Sequence, residues 1–491
     1  MKQMKLNKKE VIEYIVLVAI TCVIFFPFLQ GHFATDTYNI ANDGYKDYAM
    51  KFSLPDGRPF MALLGFLADF LHVNIRVYVL FSLVVAILVS CFAILKLKNI
   101  VKKYKEPKNI FSEITLILIC YASMFNFTYI ENMYFVECIA MSISILLFMI
   151  SADILVSQEK NKYLLKSIIL NILGVFCYQG TIGIFFAYVI LFSILKNKDS
   201  KKQIFYDLVK SVICAGIALF MNFIFTKIVK YCLNDNSNRL NKKIIKTKLF
   251  RIFRSGALLF TYDIFPQKVL YFYIVAVTII VSIYQIRNIK SEKILLKYII
   301  LFFIVALSGS FVYVLTTSGG SSFRIKFPLG ALIGILLIFV YAKTDLFENK
   351  KALAIFTYFI VFSYIIINIV NYEQIMFDHK IVNKTEKEDA FKIEKYIENY
   401  EKENNTNVNN LIILKNVGNT SNAYNYGARH TFLTLNAVKT EWSCKSAIEF
   451  YTNRKFKNVN EVYVNYAKSN SNDEMYYKCI GDTLYVNVYM Y

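Results

Sequence analysis

The chain has 491 residues, of which 56% are hydrophobic and only 19% charged, and its formal charge is +21. Soluble domains carry about a quarter charged residues, so this balance excludes an ordinary soluble globular protein and points to lipid as the main solvent. The positive charge does not indicate nucleic-acid binding, because Lys and Arg collect in short loops between apolar runs and no basic module with interleaved aromatics is present.

The first apolar run, Val11–Leu29, follows four lysines. It is too long for a signal peptide, and no small-x-small cleavage site follows it, so it is read as an uncleaved first helix with the N-terminus in the cytoplasm. A polar outer loop is expected over Gln30–Asn74, then a return span over Ile75–Leu95 and a cytoplasmic loop, Lys96–Lys108, with six lysines. Spans at Asn109–Phe125 and Tyr134–Val156 enclose the short outer loop Asn126–Met133. The runs are continuously apolar, without the period-two alternation of a barrel, and helices are the spanning structure that fits.

Ser167–Leu195 would make one helix about 44 Å long, more than a hydrocarbon core of about 30 Å needs. Basic loops flank both ends, and Tyr178-Gln179-Gly180 lies in the middle between Gly174 and Gly183. The segment is therefore expected to be a hairpin of two short helices with its polar tip near the outer face. The remaining spans are Ser211–Val229, Val269–Ile286, Tyr298–Thr317, Pro328–Tyr341 and Ala352–Asn371. The fold class is thus an α-helical polytopic membrane protein of about eleven spans, residues 1–375. A small α/β domain over residues 376–491 follows, with a helix opening at the capping-box pattern Thr385–Glu388. Strands are expected at Leu411–Leu414 and Thr483–Tyr491, and a short helix at Cys444–Phe450.

Polar residues near membrane depth are costly unless paired or solvated, which makes them functional candidates. The hairpin topology brings several to one side: Asp36, Asp56 and Arg58 in the first outer loop, Glu131 in the second with Glu137 just beyond, Tyr178 and Gln179 at the hairpin tip, and Arg324 and Lys326 before Pro328. Carboxylates beside cations suit sugar transfer from a phospholipid donor, with an acid taking the acceptor proton and Arg or Lys offsetting charge on the leaving phosphate. Each also has a structural alternative: Asp36 as a solvated loop residue, Glu131 as a residue that caps or solvates the next helix, Tyr178 and Gln179 as backbone partners at a helix break, Arg58 as a residue reaching for headgroups, and Arg324 as a marker of the membrane boundary. Arg239–Arg254 alternates cations and apolar residues as an interfacial amphipathic helix does. The nine cysteines form no CxxC pair, no ligand cluster calls for a metal, and a Cys444–Cys479 disulfide is possible only in an external tail.

Asp36 in a first outer loop followed by Asp56-Gly57-Arg58-Pro59 resembles the GtrII-like glucosyltransferases. So do Asn126-Phe127-Thr128-Tyr129-Ile130-Glu131-Asn132-Met133, Cys177-Tyr178-Gln179-Gly180, and Phe323-Arg324-Ile325-Lys326-Phe327-Pro328 leading into a span. The order and spacing of these motifs over residues 10–375 carry the resemblance; a departure is Thr37 after Asp36, where the family often has a second acid. The resemblance implies a GT-C-like membrane glycosyltransferase of the bacterial cytoplasmic membrane, with its active face and tail domain extracytoplasmic. It implies transfer of a hexose, usually glucose, from a polyprenyl-phosphate sugar donor to a surface glycan or teichoic acid-like acceptor, without a nucleotide-sugar site or cofactor. Asp36 is then the catalytic base, Arg58, Arg324 and Lys326 the donor-phosphate partners, and Asp56, Glu131, Tyr178 and Gln179 pocket residues. A lipid-linked glycan flippase or transporter and a polysaccharide polymerase remain as alternatives.

Overall fold

The computed structural model of the chain describes residues 7–157, 161–196, 201–234, 267–288, 293–309, 323–348, 352–416, 435–464 and 477–488. Among them, six helices are long and apolar enough to cross a membrane, and a small sheet lies near the C-terminus. The basic stretch 239–254 and Ser318–Ser322 lie outside the described residues.

Helix α1 (Lys8–Ile24) is opened by a capping box in which Asn7 accepts from the Glu10 amide and Glu10 accepts from the Asn7 amide. The stretch expected as a polar outer loop is folded, with α2 (Thr35–Asp43) and α3 (Pro59–Phe70) among its short helices. Next come α4 (Ile75–Lys102), α5 (Ile110–Met124), the buried single turn and a half of α6 (Tyr129–Tyr134) and α7 (Cys138–Ser157).

The expected hairpin is α8 (Asn161–Tyr178), a tight turn at Gln179–Thr181, and α9 (Gly183–Lys196), but α8 starts six residues earlier than expected and is long enough to cross a membrane, so only α9 is a short helix. The direction of the chain reverses: the Ser151 and Ser167 hydroxyls meet at 2.7 Å near the start of α8, and Ser144 and Thr181 meet at 2.7 Å at the tip. The Lys196 ammonium then donates to the Val156 carbonyl at 2.7 Å, so both ends of the segment lie at the same end of α7. The bundle continues with α10 (Lys201–Cys232), α11 (Gln267–Arg287), α12 (Ile294–Ser308), α13 (Leu332–Lys343) and α14 (Ala352–Asn404). Helices α5 and α13 approach closely: a Cβ on Gly334 would stand 2.4 Å from the Ser123 backbone, so only a residue without a side chain fits. Val77 and Phe81 on α4, Val212 and Phe220 on α10, and Ile355, Phe359 and Ile366 on α14 point outward and are exposed. Apolar surface spread over several helices in this way fits a hydrocarbon surround.

The two ends of the bundle differ in charge. At the end holding the C-terminus of α4, Glu113 meets Lys9, Lys98 and Lys102, Asp153 meets Lys103 at 2.8 Å, and Glu348 meets Lys105 and Lys108. The motif residues lie at the opposite end.

Helix α14 leaves the bundle without a break. Its 53 residues span about 80 Å, well beyond a bilayer core of about 30 Å. Thr385 therefore opens no new helix, contrary to the capping-box reading; its hydroxyl donates back to the Ile381 carbonyl at 3.0 Å, as an interior helical threonine does. The tail sheet has strand order β2-β1-β4-β3, where β1 is Asn410–Asn416, β2 Asn458–Val464, β3 Tyr477–Ile480 and β4 Thr483–Asn487. Strand β1 is parallel to both neighbours, and β3 is antiparallel to β4. The strands and helix expected at Leu411–Leu414, Thr483–Tyr491 and Cys444–Phe450 are β1, β4 and α15 (Cys444–Thr452), with β4 ending at Asn487. Cys444 and Cys479 are both buried free thiols, not a disulfide.

The tail docks on α2. Tyr38 is buried in the tail's hydrophobic core with Ala390, Ile393, Leu411 and Ile448, not in the bundle core. Its hydroxyl donates to Glu386 at 2.6 Å and lies 2.7 Å from the Tyr451 hydroxyl. The Asn383 amide accepts from the Phe33 amide at 2.9 Å and donates to the Phe33 carbonyl at 3.0 Å, while Asn42 donates to the Ser446 carbonyl at 2.7 Å. Glu386 lies about 51 Å along α14 from Ala352, outside the membrane-crossing part. Burial pushes its carboxyl up to about 7, against the lowering effect of the Tyr38, Ala437 and Asn383 donors. The folded state thus binds a proton more tightly than the unfolded chain. Stability should be greatest below the ordinary value of 4.5 and should fall as pH rises through about 7. Thermal melting in nanodiscs should show that decline in the wild type and a flatter profile in Glu386→Gln.

Candidate functional site

The site end of the bundle is built from four chain segments. The first is the folded loop after α1. Asp36 occupies the first turn of α2, half-buried, within electrostatic range of Tyr48 and Arg324. Burial, with the carboxylates of Asp36 and Glu137 close by, pushes the Tyr48 phenol well up, so it stays protonated and donates to Glu137 at 3.1 Å. Further along, Asp56 and Arg58 face each other at 3.9 Å on either side of Gly57. Gly57 has φ +75°, and a Cβ there would stand 2.6 Å from the Thr226 hydroxyl and 2.7 Å from the Asn222 amide oxygen. Asn222 on α10 donates to the Gly57 carbonyl at 2.6 Å, locking this turn against a membrane helix.

The second segment is 126–137. The Asn126 amide oxygen accepts from the Thr128 amide at 3.1 Å and the Thr128 hydroxyl at 2.7 Å, and the Tyr372 hydroxyl donates to the Asn126 carbonyl. This compact turn, buried throughout, sets up α6 and with it Glu131, which is 1% exposed. The third segment is the hairpin tip. Gln179 donates to the Asp56 carbonyl at 2.8 Å, and the Arg58 guanidinium lies over the Tyr178 ring at 5.1 Å. The fourth precedes α13. The Arg324 amide donates to Glu131 at 3.2 Å, its guanidinium lies 3.9 Å from the same carboxylate and 4.1 Å from the Phe135 ring centre, and Lys326 is fully buried.

Asp36, Asp56, Arg58, Glu131, Tyr178, Gln179, Arg324 and Lys326 are therefore all at one end of the bundle, linked by these contacts. The network has two parts, Asp56, Arg58, Tyr178 and Gln179 in one and Glu131, Arg324 and Lys326 in the other, joined by Tyr178 and Arg324, which lie within electrostatic range of each other. Asp36 connects to them through charge and through Tyr48 and Glu137. Sequence reasoning missed Tyr48 and Asn222 and gave no role to Asn132. Asn222 carried a usable signal, a lone amide within an apolar run; Tyr48 carried none beyond its place in the first loop. Asn132 is fully buried, and neither end of its amide has a hydrogen-bond partner among the described residues; the same holds for Arg58 Nε, Glu137 Oε2 and Gln179 Oε1. Buried polar atoms left without partners cost free energy, which makes these residues candidates for contact with a polar ligand. No three His, Cys, Asp or Glu side chains among the described residues group closely enough to hold a metal ion. No protein-family model matches this sequence, and no curated protein is significantly similar to it.

Gly57→Ala should strain the turn and push against Asn222, lowering stability by about 1–3 kcal/mol, read as a fall in melting temperature. Arg324→Gln should leave the Glu131 carboxylate buried without its guanidinium, at a cost on the order of 3 kcal/mol. Adding Glu131→Gln in the same chain should recover part of that loss, a non-additivity measurable by the same melting experiment.

Proposed function

We propose that the protein is a membrane glycosyltransferase that moves a hexose from a polyprenyl-phosphate donor to a surface glycan or teichoic acid-like acceptor. The observation that carries this reading is the convergence of carboxylates and cations from four distant segments at one end of an apolar bundle. In this reading α1, α4, α5 and α7 to α14 are eleven crossings of a GT-C-like fold. The lysine-rich end is cytoplasmic by the positive-inside rule, so the site and the tail face outward.

Asp36 acts as the base: it accepts the acceptor hydroxyl's proton as that oxygen attacks the anomeric carbon. The bond from the anomeric carbon to the donor phosphate oxygen breaks on the opposite face, inverting the centre. The leaving polyprenyl phosphate keeps the electron pair, and Arg58, Arg324 and Lys326 offset its charge. Asp56, Glu131, Tyr178 and Gln179 line the sugar pocket, with Asn132 supplying an uncommitted amide. Flipping lipid-linked glycans would use the same lipid and sugar chemistry, but it needs polar groups through the membrane depth, and the candidate residues gather at one end, which favours transfer.

Protein in nanodiscs supplied with labelled polyprenyl-phosphate glucose and a glycan acceptor should yield glycosylated acceptor. Asp36→Asn should lower kcat on the order of 10²–10⁴-fold with little change in KM. Full activity of that variant would remove Asp36 from the base role.

A further inference from the structure

A second feature lies beside the site and outside its network. Between the start of α4 and the tail domain runs a cleft of about 690 Å³, within the range of about 300–1,000 Å³ usual for ligand pockets. Its walls carry the cations Arg76, Lys384 and Lys387 and the rings of Phe33, Phe391 and Tyr451, and no Asp or Glu is among its described lining residues. Among the described residues Lys384 meets the exposed Glu388 one turn away, at 3.8 Å, a weak surface pair. The Arg76 guanidinium lies 6.0 Å from the Phe33 ring centre and the Lys387 ammonium 5.8 Å from that of Phe391, so charge and ring face are presented together.

We propose that this cleft is a subsite for an anionic glycan chain, which deepens the sugar-transfer reading and rests on it. Ring faces stack on the apolar faces of sugars, while Arg and Lys meet phosphate or carboxylate groups along the chain. Two observations favour a glycan over a phospholipid headgroup. Lys384 stands about 48 Å along α14 from Ala352, farther than the about 40–45 Å of a whole bilayer with its headgroups, so the Lys384–Lys387 wall rises above the headgroups while Arg76, in the first turn of α4, sits at their level. The floor is also continuous with the site: Phe33 is pinned through its backbone to Asn383 and lies three residues before Asp36. A chain held here enters the site along α2.

The test uses the full chain in phosphatidylcholine nanodiscs and a synthetic glycerol-phosphate hexamer, followed by titration calorimetry, with neutral maltohexaose as comparison. The hexamer should bind more tightly than maltohexaose and should weaken as salt rises from about 50 to about 200 mM. Lys384→Gln/Lys387→Gln, two exposed positions, should weaken hexamer binding about tenfold and leave maltohexaose unaffected. Equal affinity of the double variant and wild type would overturn the subsite, as would failure of the wild type to bind the hexamer. Loss of hexamer binding when phosphatidylglycerol is included in the discs would assign the cleft to lipid and overturn it likewise. Asp36→Asn should bind the hexamer as wild type does, so failure of sugar transfer and failure of the subsite are read separately.

Discussion

The arrangement depends on one electrostatic constraint: charges carried to the end of an apolar bundle must be neutralised there. Glu131 is almost fully buried, and Arg324 meets it through both its amide and its guanidinium. Removing either from water is expensive, and attraction within a low-dielectric interior offsets that only when the partner is held in place. Holding it requires the Asn126–Thr128 turn behind Glu131 and the fit of α13 against α5 behind Arg324. The same logic governs the other half of the network, where Gly57 lets the chain turn against α10 so that Asp56 and Arg58 reach the hairpin tip. Once these pairings form, the early loops, the hairpin tip and the segment before α13 have to share one end.

Much of this was legible locally. The Ser167–Leu195 hairpin followed from a length too great for one crossing, the glycines and the Tyr178-Gln179 pair. The candidate residues at the tip and in the early loops followed from the cost of placing them in lipid. What was not legible depended on partners far away in the chain. Thr385–Glu388 imitates a helix start, yet α14 runs straight through it because the buried face at Val382, Glu386, Ala390 and Ile393 continues in phase from the bundle into the tail core. Strand β2 reads Asn-Val-Asn-Glu-Val-Tyr-Val, and because residues 458–463 are exposed on both faces it lacks the buried face that marks a strand; β1 offers it a parallel neighbour. Tyr38 looks like any loop tyrosine until Glu386 and Tyr451, more than 300 residues away, are brought against it.

Docking of the tail on α2 has a mechanical consequence. Asp36 and Tyr38 lie on the same short helix, one facing the bundle network and the other buried in the tail core. A helix of nine residues has little stability of its own in water, so its position is set by what it packs on. The tail therefore contributes to the geometry of the candidate site without supplying a residue to its charged network.

The two ends of the bundle pair their charges differently. At the lysine-rich end the buried carboxylates Glu113 and Glu348 each meet two or more lysines, at 3.7 Å or closer. At the other end the pairs are longer, at 3.9 Å for both Asp56–Arg58 and Glu131–Arg324. Amide and guanidinium atoms of Asn132, Gln179 and Arg58 are buried there without hydrogen-bond partners among the described residues. Folding alone gives no reason to keep such groups, because apolar side chains of similar size would be more stable in their place. On the proposed reading, a substrate rich in hydroxyls and carrying a phosphate would satisfy the ones at this end of the molecule.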